Sequence, residues 1–376
     1  MKRRVLFVAT VLRGHVLVFH LPYMKWFQEH GYEVHLCCRN DTEEKNVTVP
    51  YCDRLIELPF ERSPLSKANL AVYKQLKKVI DEGDYALIHC NTPVGGMLGR
   101  LCSREARKKG TKVVYTAHGF HFFSGAPLKN WLLFYPAERF LSRFTDLLIT
   151  INQEDYKRAQ RFHARKTALV NGVGVDLTRF EKVVDRVAVR SELGIAQDAP
   201  VIVCVGEHSD RKNHETVLRT AALLPGVETL FCGVGQKQPE LEKLAEELGV
   251  TERTRFLGFR KDVPQILGAS DVFLFPSWQE GLPVSQMEAM AAGLPCVVSD
   301  VRGNADLVQT GEGGYLRKPD DAKGFSEDIA LLIGDPALRE SMGERNRREI
   351  EKYSLEAVLA QMEALYLEQL EEGTNG

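Results

Sequence analysis

The sequence predicts two doubly wound α/β domains in tandem, and three observations predict it. Short runs such as Val5–Thr10, Ala86–Cys90 and Val201–Gly206 are apolar at nearly every position, as strands covered on both faces of a parallel sheet must be. Longer amphipathic stretches alternate with them, which gives the βαβ rhythm that places helices on both sides of such a sheet. The rhythm then restarts after residue 180, so the chain divides into 1–180 and 181–352, with a terminal helical stretch, 353–376, expected to cross back to the first domain. In doubly wound sheets ligands bind beyond the carboxyl ends of the strands, so two such domains facing each other would enclose a deep cleft.

In the first half the strands are expected at Val5–Thr10, Val34–Cys38, Leu55–Leu58, Ala86–Cys90, Val113–Ala117 and Leu147–Ile151, with helical patterns at Ser66–Asp81 and Thr92–Lys109. Residues Val183–Ala199 read as a charged connector. Val201–Gly206, Thr229–Gly233, Arg255–Gly258, Val272–Ser277, Cys296–Asp300 and Gly314–Leu316 form the second strand set, with helices at His214–Leu224, Glu240–Leu248 and Glu288–Ala292. Ser354–Leu370 closes the chain as a helix rich in Leu, Glu and Ala.

Composition narrows the class. The 376 residues are 44% hydrophobic and 27% charged, which suits about two globular domains and excludes disorder or coiled coil for the chain as a whole. No apolar run approaches the roughly 20 residues of a membrane span. The N-terminus MKRRVLFVATVLRGH opens like a signal peptide, but its apolar stretch is short and broken by Arg13, so it reads as a first strand and the product is expected to be cytoplasmic. Eight cysteines without a CxxC pair read as buried free thiols rather than a zinc site or a disulfide framework. The net charge of −2 hides an asymmetry: residues 1–178 carry 27 Lys and Arg against 17 Asp and Glu, and the remainder 22 against 34. A basic first half suits an anionic surface. No nucleic-acid-binding motif accompanies it, so a lipid surface is the expected partner. The basic run Arg100–Lys109, and the apolar cluster Trp131–Tyr135 beside Lys129, Arg139 and Arg143, could meet that surface.

Nucleotide motifs fail where tested. Gly233-Val234-Gly235 lacks the third glycine of a dinucleotide fingerprint, and no P-loop is present. The informative segment is Phe275-Pro276-Ser277-Trp278-Gln279-Glu280-Gly281-Leu282-Pro283-Val284-Ser285-Gln286-Met287-Glu288. A buried strand ends at Pro276, a loop carries Glu280, and Pro283 suits the first turn of a helix that holds Glu288. The amides from Gly281 to Ser285 would lie free at the positive end of that helix, an arrangement for an anion such as phosphate. A carboxylate facing the same space can accept two hydrogen bonds from a vicinal diol, as in ribose.

This segment, PSWQEGLPVSQMEAMAAGLPCVVSD, resembles the signature of retaining glycosyltransferases of the GT-B, family 4 type, in which two Glu residues are separated by seven positions. The resemblance extends to His118-Gly119 in VVYTAHGFHFF, to Asn171–Asp176 with Phe180 at the entry to the second domain, to Val205-Gly206 followed by Arg211-Lys212-Asn213, and to Phe256-Leu257-Gly258. Within the family, AHGFHFF and APLKNWLLFYPAERFLSRFTDLLITIN are similar to bacterial capsule and exopolysaccharide enzymes. The resemblance implies a GT-B fold and retaining transfer of a sugar, with a UDP-sugar the expected donor and a polyprenyl-diphosphate-linked surface glycan the acceptor, at the inner face of the cytoplasmic membrane.

It also implies roles. Glu288 holds the ribose hydroxyls and Glu280 the hydroxyls of the donor sugar, with Gly281, Leu282, Pro283 and Val284 near sugar and diphosphate. Gly206, Arg211 and Lys212 take the phosphates, Lys212 neutralising the departing charge. His118 touches the donor sugar or polarises its surroundings, and Gly14 lies in the first strand-to-helix turn, close to donor and acceptor. His118, Lys212 and Glu280 are thus the catalytic candidates. Two departures bear on this: Glu207 stands where the family often has Arg, so Arg211 or Lys212 alone must serve the phosphates, and the first loop reads Arg13-Gly14-His15 rather than Gly-Gly. No two Asp residues stand two positions apart, so with the family resemblance the transfer is expected to need no metal and no cofactor beyond the sugar nucleotide. His20, His121 and His208 read as structural. A sugar-nucleotide epimerase would share the architecture without this Glu pair, and a noncatalytic binding subunit would lack Glu280, Glu288 and Lys212.

Overall fold

A computed structural model describes residues 3–44 and 46–372. Two compact units divide the chain: unit 1 comprises Met1–Val173 with Val358–Gly376, and unit 2 comprises Gly174–Ala357.

Unit 1 holds a seven-stranded sheet of β1 (Arg4–Val11), β2 (Glu33–Arg39), β3 (Arg54–Glu57), β4 (Tyr85–Asn91), β5 (Lys112–Ala117), β6 (Leu147–Thr150) and β7 (Lys166–Leu169). Every pairing is parallel, in the order β3-β2-β1-β4-β5-β6-β7. Side chains alternate across the pleat into two cores. Leu6, Val8, Ile88 and Cys90 face one, with Val72, Leu76 and Leu98 of the covering helices. Val5, Phe7, Leu36 and Val114 face the other, which the final helix, Leu355–Glu372, completes with Val358, Met362, Tyr366 and Leu370. Tyr366 Oη lies 2.8 Å from His89 Nδ1, and Lys166 pairs with Glu368, so that helix is fixed by polar as well as apolar contacts. The helix Pro93–Cys102 lies so close to β1 that a Cβ on Gly95 would come within 3.0 Å of the Ala9 backbone.

Unit 2 repeats the design with six parallel strands: β8 (Val201–Val205), β9 (Glu228–Cys232), β10 (Thr254–Phe256), β11 (Val272–Phe275), β12 (Cys296–Ser299) and β13 (Gly314–Arg317), in the order β10-β9-β8-β11-β12-β13. In both sheets the order reverses at one place, between β1 and β4 and between β8 and β11. The loops leaving those strands are where a doubly wound sheet offers a crevice.

Three expectations need correction. The division falls after Val173 and Ala357, not at 180 and 352, because the two crossing segments bond to each other: Val175 N donates to Tyr353 O at 3.0 Å and Leu355 N to Val175 O at 2.9 Å. Residues 183–199 are not merely a connector. They contain the helix Arg186–Glu192, capped by Asp185 and anchored through Arg186 and Arg190, which both pair with Asp271. β7 is an additional strand: its four residues, Lys-Thr-Ala-Leu, form a half-buried edge strand with no apolar run to mark it in the sequence.

Two charge expectations also change. Arg100 is 0% exposed, bonded to Glu138 and with its guanidinium 3.8 Å from the Tyr115 ring centroid, and Arg107 grips Asp146 with two guanidinium nitrogens. Neither is a free surface cation. In the helix Leu128–Leu141, Trp131, Phe134 and Tyr135 pack against the core, while Leu128 and Leu132 are 72% and 71% exposed. The apolar cluster is therefore half core and half surface.

Candidate active site

The loops at the strand-order reversal of unit 2 carry the charged candidates. After β8 the chain passes Gly206 and forms one 3₁₀ turn, Asp210–Lys212. Asn213 ends it at a φ of +54°, a left-handed conformation that Asn tolerates. Its side-chain amide donates to the carbonyls of Pro276 (2.9 Å) and Pro319 (2.7 Å), tying this turn to the loop after β11. Gly206 leaves room beside Lys212: a Cβ there would stand 3.6 Å from Lys212 Cδ and Cε.

The loop after β11 presents Glu280, buried, with Oε1 accepting from Lys212 Nζ at 2.8 Å and from Arg211 Nη1 at 3.1 Å. Arg211 also donates to Gln279 O, and the Trp278 amide returns a bond to Arg211 O. Lys212 Nζ stands 4.6 Å from the Phe275 ring centroid. Burial pushes the Lys212 ammonium below its usual range, and adjacent Arg211 pushes the same way, while Glu280 opposes both. Arg302 Nε donates to Glu280 O at 3.0 Å. Behind the loop, Asn304 Nδ2 donates to Ser299 O and to Ser299 Oγ, which itself bonds Ser277 O. Gly303, at a φ of +81°, lies so near that a Cβ would meet Gly281 O at 2.4 Å. The Glu280 loop is thus braced on its own backbone.

Gly281 and Leu282 lead to Pro283, which is the N-cap of the helix Val284–Ala291 rather than a residue of its first turn, since its ψ of 119° is extended. No side chain caps this helix. The amides of Val284, Ser285 and Gln286 belong to its first turn and have no acceptor within the helix, while Met287 N bonds Pro283 O. Glu288, one turn on, pairs with Arg179 at 2.8 Å. Burial raises the Glu288 carboxyl above its usual range, and Arg179 counters part of that. Glu207 is exposed and carries none of the ion pairs at this site. Arg179 and Arg302 were not foreseen as site residues. Their signal was only their position, one beside Phe180 in the entry segment and one beside Gly303.

His118 and Gly14 lie in unit 1, after β5 and after β1. Gly14 sits in a π-helical turn, Leu12–Val16, directly after β1. A Cβ on it would meet nothing nearer than 3.8 Å, so the protein itself leaves space there. His118 follows β5, its Nε2 3.4 Å from Asn91 Oδ1 at the end of β4. Its ring packs edge-on to His15 with centroids 4.7 Å apart, and His20 lies 5.9 Å away. Burial holds all three imidazoles neutral, His15 at about 4 and the other two well below their usual value. His15 and His118 also line a largely apolar cavity of about 380 Å³ with Thr92, Tyr115, Phe122 and Leu133. Thr92, a β-branched residue at a φ of +63°, is held there by two hydrogen bonds to Thr10.

Known proteins carry the same two units. The family described as Glycosyl transferases group 1 matches residues 185–349, and Glycosyl transferase 4-like matches residues 4–152. A Bacillus subtilis (strain 168) protein named as a glycosyltransferase, EpsD, is 40% identical over 374 residues, covering 97% of each chain. The chain belongs to the GT-B glycosyltransferases. An Escherichia coli relative, a UDP-Gal:α-D-GlcNAc-diphosphoundecaprenol α-1,3-galactosyltransferase, is 30% identical over 283 residues, 72% of this chain and 71% of that one. Among solved structures, Anabaena Alr3699/HepE in complex with UDP and glucose superposes with a TM-score of 0.82 at 20% identity, over 98% of this chain and all of that one. The lipopolysaccharide glycosyltransferase WaaG gives 0.73 at 17% identity, over 95% and 98%. This glycosyltransferase therefore shares its architecture with a glycosyltransferase involved in lipopolysaccharide biosynthesis.

Proposed function

We propose that this glycosyltransferase moves a hexosyl or N-acetylhexosaminyl group from a UDP-sugar, with retention of configuration, to a polyprenyl-diphosphate-linked surface glycan. The observation that carries the donor side is the Glu280 carboxylate gripped by Lys212 and Arg211 beside an uncapped helix N-terminus. Two cations and three first-turn amides with no acceptor within their helix, in one loop cluster, suit a diphosphate. The relatives' names supply the nucleotide and the lipid carrier: UDP-Gal and a diphosphoundecaprenol acceptor for one, UDP for the other.

In this reading the bond between the anomeric carbon and the β-phosphate oxygen breaks while the acceptor hydroxyl adds to the same face. The hydroxyl proton passes to the departing phosphate oxygen. Negative charge grows on the diphosphate as the bond breaks, and Lys212 with the amides of Val284–Gln286 is preorganised to meet it. Glu280, released in part from its cations, accepts from sugar hydroxyls. Glu288 exchanges Arg179 for the ribose diol. Gly206 and Gly14 leave backbone room for the ligand, and His118 offers a neutral imidazole to the sugar. Lys212 and Arg211 supply the charge that magnesium or manganese would bring, so no added divalent ion is needed for the diphosphate.

Unit 1 is proposed to rest on the inner face of the cytoplasmic membrane through the exposed side of helix Leu128–Leu141. No helix of the described residues is long and apolar enough to cross a membrane. The test is transfer by the full chain to undecaprenyl-diphosphate-linked N-acetylglucosamine, with UDP-Glc, UDP-Gal, UDP-GlcNAc, UDP-GalNAc and GDP-Man as donors, in buffer stripped of divalent ions. An α-linked product from one UDP-sugar is expected. Transfer only from the GDP-sugar, or a β-linked product, overturns the reading.

A further inference from the structure

Unit 1 buries several imidazoles, and most have partners. His35 bonds Tyr85 Oη at 2.8 Å and Glu33 at 2.9 Å, and His89 bonds Thr116 Oγ1 and Tyr366 Oη, both at 2.8 Å. His20, in the same core and 1% exposed, has a hydrogen-bond partner on neither ring nitrogen. His15 Nε2 is buried without a partner as well. A buried polar atom left unpaired is costly, and such atoms call for an explanation. Both rings gather with His118: one ring nitrogen each from His15, His20 and His118 lie within 4.8 Å of one another. The three rings meet at 57°, 73° and 89°, so they converge from different directions rather than stack.

We propose that His15, His20 and His118 form a binding site for a divalent transition-metal ion, zinc by the nature of the donors. Three imidazoles with no carboxylate or thiolate among them suit zinc and its neighbours, whereas magnesium and calcium demand oxygen. Each ligand comes from a different fixed point. His15 is set by the π-helical turn after β1, His20 by the start of helix Leu21–Glu29, and His118 by the end of β5. Such π-helical turns recur at functional sites. Zinc–nitrogen bonds of about 2.0–2.1 Å put tetrahedral donors about 3.4 Å apart. Closing on the ion therefore draws the nitrogens in by up to about 1.4 Å, within the reach of side-chain rotation. Three protein ligands leave a fourth position for water or an oxygen ligand. His15 and His118 line the 380 Å³ cavity, so a small ligand can approach from it. The ion takes one nitrogen of His118, whose Nε2 lies 3.4 Å from Asn91 Oδ1. The inference concerns unit 1 alone and does not rest on the donor reading.

The test uses the full chain, stripped of metal with a chelator, without nucleotide or lipid. Cobalt(II) is the probe, because tetrahedral coordination gives strong visible bands, and zinc(II) is then added in competition. One cobalt per chain, displaced by one zinc, is expected. His20→Gln should abolish the bands, and His15→Gln should weaken binding at least 100-fold. His89→Gln, whose nitrogens are already partnered, should leave binding unchanged. Should His20→Gln fail to fold by circular dichroism, His15→Gln decides. Absence of a saturable tetrahedral spectrum, or equal affinity in His15→Gln, overturns the proposal. Since no donor is present, that result leaves the sugar-transfer reading standing, and loss of transfer with cobalt still bound would do the reverse.

Discussion

Unit 1 and unit 2 place polar groups at the same point of the same topology and treat them in opposite ways. At the strand-order reversal of unit 2, Lys212, Arg211 and Glu280 satisfy one another, and Arg179 satisfies Glu288. Beside the reversal of unit 1, at the ends of β1 and β5, burial keeps His15, His20 and His118 uncharged, and His20 on both ring nitrogens and His15 on Nε2 are buried without a partner. Ion pairs hold a site in a ready geometry and can be exchanged for ligand contacts. Unpaired imidazoles gain their partners only from something that arrives. One fold thus supports a site that is complete in itself and a site that waits for a ligand.

The sharpest way to break this comparison is to remove the charge that unit 2 supplies. Lys212→Ala should lower turnover by about 10²–10³-fold, the range seen when one preorganised donor to developing charge is removed. Donor affinity should fall less, because the charge grows only as the bond breaks. Arg211 remains on Glu280, so the fold should hold. Steady-state kinetics with circular dichroism checks this. Equal losses in KM and none in kcat would mean Lys212 binds the ground state only.

A smaller effect is expected at Glu288. Glu288→Ala should weaken binding of the nucleoside diphosphate by about 1.5–3 kcal/mol for each charged hydrogen bond lost, or roughly 10–150-fold. Arg179→Ala separates the two partners of that carboxylate: with its competitor removed, Glu288 is free for the ribose diol and the nucleoside diphosphate should bind no more weakly than before. Isothermal titration reads both. Unchanged affinity in Glu288→Ala would take it out of the site.

The contrast also marks what the sequence could tell. Unit 2 was legible because its chemistry lies in one continuous segment, Phe275–Glu288, with the Lys212 turn as a second short cluster. Strands buried on both faces announced themselves as apolar runs. Arg179 was not legible, since its contact spans 109 positions, and neither was the helix Arg186–Glu192, whose charged face hides the pairing with Asp271. The imidazole cluster of unit 1 joins residues from two segments about a hundred positions apart. His20 read as a core or surface histidine because nothing in its neighbours reveals that both its nitrogens are orphaned.

Unit 2 has an unpaired buried imidazole of its own, which gives a pH test of the same physics. Burial depresses His214 to about 3. The unfolded chain therefore takes up this proton first, near 6.5, so the folded state is at full stability above that pH and loses it as pH falls toward 3. The slope is about 1.4 kcal/mol per pH unit per group. His214→Leu should remove it: urea midpoints of variant and wild type should diverge on going from pH 7 to pH 5, with the variant falling less. Parallel midpoints would mean His214 is already protonated or finds a partner.

The smallest effect concerns the outer face of unit 1. The exposed side of helix Leu128–Leu141 carries Leu128, Leu132, Arg139 and Phe140, with Arg143 just beyond it, an amphipathic arrangement suited to lying at a lipid interface. Each basic residue near an anionic leaflet contributes about 1 kcal/mol, and salt screens it. Arg139→Ala should therefore weaken binding to anionic vesicles by about fivefold at low salt, with little change at high salt or on neutral vesicles. Arg100 is the internal control. It adds to the same positive count in the sequence, but it is buried against Glu138 and Tyr115, so it has no charge to offer a membrane. Co-sedimentation of wild type and Arg139→Ala with both vesicle types at two salt concentrations decides the matter. Equal, negligible binding throughout would mean that the excess of positive charge in unit 1 serves its own ion pairs, as Arg100 and Arg107 do, and not a lipid surface.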